Sequence, residues 1–193
     1  MLKDKLKNYK IILASGSPRR QQFFKDLNLD FEIRLKEVEE IFPEDLKGVD
    51  ITNFLAELKA NSFADEIAEN EIVITSDTIV WLDNQALGKP NDYADAFDML
   101  SKMSGKTHQV ITSVCFKRRN IMETLHCITK VTFNALDESE IKYYLDNYKP
   151  FDKAGAYGIQ EWIGLIAISK IEGSYTNVVG MPTDMVFNYL KNM

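Results

Sequence analysis

Residues 71–82 read EIVITSDTIVWL, the most strand-like run in a chain of 193 residues. Its β-branched residues predict a buried strand from Glu71 to Leu82. Asp77 stands in the middle of that strand. A carboxylate there must be paired, metal-bound or protonated, because an isolated buried charge is costly. An Asp pointing outward from a half-buried strand is the plain alternative. The almost wholly apolar or hydroxyl-bearing neighbours argue against it, and for a working group.

Outward from that strand, strand-like and helix-like segments alternate. Upstream, Tyr9–Ala14 (YKIILA) predicts a short buried strand, and Ser15-Gly16-Ser17-Pro18 the turn into a helix. Ser17 suits the N-cap and Pro18 the first helical position, with Phe23, Phe24 and Leu27 on one face. Phe31–Val38 reads as extended, and Thr52–Ala68 as a helix with Leu55, Leu58 and the small residues Ala56, Ala60 and Ala64 at helical spacing. Downstream, Asp83-Asn84-Gln85 forms a turn, and a helix capped by Asp92 runs to Met103, ended by Gly105. Thr107–Lys117 and Ile121–Phe133 form an antiparallel hairpin joined at Arg118–Asn120. Asp137 opens a further helix carrying Ile141, Tyr144, Leu145 and Tyr148. A glycine-rich loop (150–160), a strand over Ile163–Ile171 and a closing helix over Pro182–Leu190 follow. The fold class is therefore α/β, a mixed sheet flanked by helices. The length predicts one domain, or two lobes sharing one core.

Composition narrows the function. Lys and Arg number 23 against 29 Asp and Glu, a net charge of −6. That excludes a generic basic surface for nucleic acid or an anionic membrane, though not a small basic pocket for one phosphorylated ligand. The two cysteines, Cys115 and Cys127, have no paired spacing and read as buried thiols, in keeping with a reducing cytoplasm. The apolar run Ile11–Ala14 is too short for a signal-peptide core or a membrane span. His108 and His126 have no spacing that points to zinc.

Two further groups could do chemistry. In Ser15-Gly16-Ser17-Pro18-Arg19-Arg20 a strand end and a helix start direct backbone N–H groups to one point, and two arginines add forked donors for phosphate oxygens. It lacks the glycines and the G-K-[ST] ending of a Walker loop. An ordinary helix start with two solvated arginines is the alternative. Lys59, Lys89 and Lys153 each read alone as solvated lysines, with Lys89 better placed in the loop after the Asp77 strand. The acidic cluster Glu37, Glu39 and Glu40 reads as a solvated edge, or as a second carboxylate for a divalent cation.

Taken together, the chain resembles the Maf family of nucleoside triphosphate pyrophosphatases. The segments that carry the resemblance are ILASGSPRR (12–20), VEE (38–40), LAELKA (55–60), SDTIV (76–80), LGKP (87–90), MSGKTHQVIT (103–112), FDKAGAYGIQ (151–160) and IEGSYTNVVGMP (171–182). They stand in family order across almost the whole chain. The resemblance implies an elongated fold of the inosine-triphosphate-pyrophosphatase-like type, with a nucleotide cleft between two lobes. It also implies hydrolysis between the α and β phosphates, assisted by a divalent cation such as Mg²⁺, and a homodimer in the cytoplasm. By position, Asp77 matches the proton acceptor. Ser15, Arg19, Arg20, Glu40, Lys59 and Lys89 match phosphate- and metal-handling positions, with Asp77 sharing the metal. Arg19, Thr78 and Gln160 match positions linked to substrate choice, in the branch acting on dTTP and UTP. Ser76 stands where the family often has Ala, and Glu161-Trp162 where a Gly-containing turn is common. Alternatives are a non-catalytic nucleotide-binding regulator of cell division, a phosphatase releasing orthophosphate, and the same chemistry on a modified purine or another pyrimidine triphosphate.

Overall fold

The structure is a computed structural model in which residues 2–193 are described. In chain order the elements are α1 (Leu2–Lys5), β1 (Lys10–Leu13), α2 (Pro18–Asp26), β2 (Phe31–Ile33), α3 (Val49–Asn61), β3 (Glu71–Leu82) and β4 (Gln85–Leu87). There follow α4 (Tyr93–Met103), β5 (Thr107–Arg118), β6 (Ile121–Phe133), α5 (Glu138–Tyr148), α6 (Trp162–Ala167), β7 (Ile168–Glu172), α7 (Tyr175–Val179) and α8 (Thr183–Asn192). Among the described residues seven strands make one mixed sheet in the order β2-β1-β3-β5-β6-β7, with β4 paired to β3. β1 lies parallel to both β2 and β3, while β3–β4 and β6–β7 are antiparallel. The expected mixed α/β sheet flanked by helices is the fold.

The chain divides into two compact units. Of the described residues, the first comprises 2–77, 112–127 and 180–193, and the second 78–111 and 128–179. In the first, β1 is buried on both faces. Ile11 and Leu13 join Phe24 of α2, Ile72 and Ile74 of β3, and Val186 and Leu190 of α8 in one cluster. Ile12 faces the other way, against Phe63, Ile67 and Val73. Alternating burial of this kind is what a parallel strand covered on both sides requires. In the second unit, α4 buries Ala96, Met99, Leu100 and Met103, and α5 buries Ile141, Tyr144 and Leu145. His108, Phe133 and Tyr157 pack edge to face with ring centroids 5.0–5.4 Å apart.

Several local expectations change. The strand expected over Ile163–Ile171 is α6 followed by the shorter β7. Its isoleucines look strand-like, yet burial of Ile163 and Ala167 with Leu165 82% exposed is helical spacing. α3 ends at Asn61 instead of Ala68, because Phe63 and Ile67 leave the helix to pack on Ile12 and Val73. The extended stretch 31–38 keeps only three strand residues, as β2 has only the short β1 to pair with. Ser17 is the N-cap residue, but its side chain makes no capping bond; instead its N–H donates to Ser15 Oγ at 3.3 Å. The turn after β3 is a two-residue hairpin, with Asp83 and Asn84 both at positive φ, and it produces the unforeseen β4.

Candidate active site

In the first unit, Asp77 is buried on β3 and Lys59 reaches it from α3, with Nζ 2.7 Å from Oδ1. The approach follows from the helix. Ala56 and Ala60 have no side chain beyond Cβ and pack against Cys115, so α3 can lie close to the sheet. Thr75 Oγ1 donates to the Ala56 carbonyl at 2.6 Å, two residues before Asp77 on the same strand face. Three residues further along the helix, Lys59 meets Asp77. The same ammonium holds Glu40 Oε2 at 3.0 Å, so two carboxylates from distant segments converge on one cation. Glu40 is half exposed, and Glu37 and Glu39 remain on the solvated edge.

Arg20, half-buried on the first turns of α2, is held by backbone. Its Nε donates to the Gly180 carbonyl at 2.9 Å and Nη1 to the Ser76 carbonyl at 3.0 Å, with Ser15 Oγ 3.5 Å from Nη1. The Gln21 amide in turn donates to the Ser15 carbonyl at 3.2 Å. Burial pulls the Arg20 guanidinium below its usual range, and the Asp77 charge opposes that. An arginine stays protonated throughout. The solvated-arginine alternative therefore fails for Arg20; Arg19 is half-exposed on the same turn. The first unit thus brings together Ser15, Arg20, Glu40, Lys59 and Asp77. Gly180, Gln21 and Thr75, which hold these groups in place, gave no chemical signal in the sequence.

A divalent cation fits part of this set. Among the described residues no three or more His, Cys, Asp or Glu side chains gather into a metal cage. Glu40 and Asp77 still offer hard oxygen donors at one point. One or two carboxylates completed by waters and phosphate oxygens are how Mg²⁺ is usually held, whereas zinc wants nitrogen or sulfur.

In the second unit lie Thr78, Lys89 and Gln160. Thr78 is half-buried on β3, Lys89 is exposed in the loop after β4, and Gln160 is exposed at the end of a loop whose residues 155–159 are buried. That loop is braced throughout. The Gly155 N–H donates to the Gly88 carbonyl at 2.9 Å, which ties it to the loop of Lys89. Gly155 has φ +66°, and a Cβ there would stand 2.7 Å from Val80 Cγ2. Tyr157 hydrogen-bonds His108 Nε2 at 2.8 Å. Burial holds His108 down at about 4, so its ring is neutral, and pushes the Tyr157 hydroxyl well up. Lys153, expected as a solvated lysine, is buried and paired with Asp152 and Glu161 at 2.7 and 3.1 Å.

Known proteins are similar to this chain over nearly its whole length. The family model described as Maf-like protein matches residues 10–193. A dTTP/UTP pyrophosphatase of Flavobacterium johnsoniae is 67% identical over 193 residues, covering all of both chains. One from Flavobacterium psychrophilum is 65% identical over 192 residues, covering 100% of this chain and 98% of its own. Among solved structures, the Ham1 protein of Staphylococcus aureus matches with a TM-score of 0.57 at 16% identity, over 95% of this chain and 98% of its own. At that identity the likeness concerns the fold.

Proposed function

This chain belongs to the Maf family, and on that premise we propose that it is a nucleoside triphosphate pyrophosphatase acting on dTTP and UTP. It hydrolyses them to the nucleoside monophosphate and pyrophosphate. The observation that carries the reading is the convergence of Asp77 and Glu40 on the Lys59 ammonium, within 3.0 Å, from three separate segments. A structural ion pair needs one carboxylate. A second one beside it, with Arg20 anchored nearby by Ser76 and Gly180, is a charge set suited to a polyanion and its counter-cation.

In the proposed mechanism Lys59 holds Asp77 Oδ1, and the Asp77 carboxylate is the base for a water. As that water attacks the α phosphorus, a new P–O bond forms and its proton passes to Asp77. The bond from the α phosphorus to the bridging oxygen breaks, and pyrophosphate leaves with the electron pair. Ser15, Arg19, Arg20 and Lys59 bind phosphate oxygens, and the family resemblance assigns Lys89 a phosphate-handling position as well. Charge stabilisation of this kind supplies most of the catalysis in phosphoryl and nucleotidyl transfer. Glu40 and Asp77 would hold a divalent cation, Mg²⁺ by donor type, which when bound neutralises charge on the triphosphate oxygens. Thr78 and Gln160 read the base: a Gln160 amide can donate to O4 while accepting from N3–H, which uracil and thymine share. No described helix is long and apolar enough to cross a membrane, and we place the enzyme in the cytoplasm.

The test is product analysis over a panel of dTTP, UTP, CTP, GTP and 7-methyl-GTP. Pyrophosphate with dTMP or UMP is the expected outcome, with highest kcat/KM for the two expected substrates. Release of orthophosphate, or binding without turnover, overturns the reading. A best rate with GTP or its methylated form overturns only the choice of base.

A further inference from the structure

Gln160 is followed at once by a carboxylate whose partners close the loop it ends. Glu161 Oε1 accepts from Lys153 at 3.1 Å, and Oε2 accepts a short hydrogen bond from the Tyr144 hydroxyl. That hydroxyl accepts in turn from the Gly158 N–H at 3.0 Å. Lys153 opens the loop and Glu161 terminates it, so one carboxylate ties the loop's start, its middle and the α5 helix beneath it. All of this is largely out of water: the Lys153 side chain is 10% exposed, Glu161 22%, and Tyr144 fully buried. Burial and the neighbouring Glu161 push the Tyr144 hydroxyl well above its usual range, so it stays a donor.

Two further contacts fit the same design. Tyr143, next to Tyr144 on α5, packs its ring 4.8 Å from that of Trp162. Two successive tyrosines thus grip the two residues that follow Gln160. A Cβ at Gly158 would lie 2.9 Å from Glu161 Cδ and 3.1 Å from Lys153 Cε, so the glycine is there to let the pair close over it. A solvated ion pair would need none of this. Exposed pairs contribute little, whereas a desolvated one is rigid and costly to break on one side.

We propose that Glu161 is a positioning residue for base selection, holding the loop 153–160 so that Gln160 stands in one place with one orientation. It rests on the reading that Gln160 contacts the base. An amide on a loose loop could turn over to suit cytosine, and selectivity between uracil and cytosine would fade. Glu161 touches neither phosphate nor water in this scheme, so it acts through Gln160 alone.

The experiment measures kcat/KM for UTP and CTP in wild type, Glu161→Ala, Glu161→Gln and Gln160→Leu, with near-ultraviolet circular dichroism to establish folding. In Glu161→Ala the UTP-to-CTP ratio should fall about tenfold or more, within the roughly 10–200-fold range of single-contact discrimination. The kcat for UTP should change less than about threefold, since Asp77 is untouched. Glu161→Gln keeps the acceptor for Tyr144 and loses one of the two charges facing Lys153, Asp152 remaining, so its ratio should fall between the two. A folded Glu161→Ala protein with a ratio within twofold of wild type overturns the proposal. If that variant does not fold, Glu161→Gln decides: a ratio lowered beyond experimental error supports the proposal, and one equal to wild type overturns it. Gln160→Leu separates the two failures. A collapsed ratio there with an intact one in Glu161→Ala removes only the positioning role. An intact ratio in Gln160→Leu removes base reading by Gln160, and the proposal with it.

Discussion

The two units organise their polar groups in opposite ways. In the first, the ionic groups come from segments far apart in sequence, around residues 15–20, 40, 59 and 77, and are held by long-range contacts to helix, strand and backbone carbonyls. In the second, one loop of about ten residues carries its own bracing: a glycine under Val80, a tyrosine on a neutral histidine, and the Lys153–Glu161 pair. The first arrangement gathers charge, and on the proposed function it performs the reaction. The second fixes shape, and on the proposed function it chooses the base. Charge can be gathered by long flexible side chains, but shape demands short, dry, glycine-dependent contacts.

The largest effect should come from breaking the first arrangement at its centre. Asp77→Asn keeps volume and removes the proton acceptor, so turnover should drop ~10²–10⁴-fold, about 3–5 kcal/mol in barrier. Nucleotide binding, measured by calorimetry, should persist. The next concerns the second unit, where both tryptophans, Trp81 and Trp162, lie, so that their fluorescence reports on it alone. His108 titrates near 4 in the fold, against an ordinary value of 6.5. Between those values the unfolded chain binds a proton that the folded chain does not. Stability from this residue is therefore complete above 6.5, is lost as pH falls towards 4, and amounts to about 3 kcal/mol at most. Urea unfolding followed by fluorescence at pH 7 and pH 4.5 should show the loss, and His108→Gln should flatten it relative to wild type.

Gly155→Ala should follow at about 1–3 kcal/mol, since a methyl group would overlap Val80 in a backbone conformation that alanine dislikes. The same fluorescence-detected unfolding reads it. Smallest is Arg20→Lys, which keeps the charge and cannot reproduce the forked bonds to Gly180 and Ser76. About 0.5–1.5 kcal/mol of stability for each bond lost is expected, seen in the urea midpoint by far-ultraviolet circular dichroism, with a raised KM for the triphosphate.

What the sequence reveals follows the same division. The strand 71–82, the hairpin strands and the Asp92-capped helix are legible because period and capping chemistry are local. α6 is not, because Ile163, Ile166, Ile168 and Ile171 favour a strand and only the packing of Ile163 and Ala167 makes residues 162–167 a helix. For the ionic cluster, Asp77 stands out by being charged within an apolar run, and Ala56 and Ala60 hint at a close-packed helix. That Lys59 bridges Asp77 to Glu40 depends on the approach of α3 to β3, which no spacing encodes. Lys153 reads as a solvated lysine, and nothing in the spacing pairs it with Glu161, since that contact depends on the folded loop and on Tyr144 arriving from another helix.

Gly164 carries a consequence that belongs to genetics. A Cβ there would lie 1.8 Å from the Ile159 carbonyl oxygen, inside any van der Waals contact, whereas at Gly88 nothing stands within 4 Å. Every missense change from a glycine codon adds at least a Cβ. In a saturation scan position 164 should therefore be a flat line of loss, with alanine scored as harshly as tryptophan. Position 88 should instead tolerate substitutions across a range of side-chain sizes.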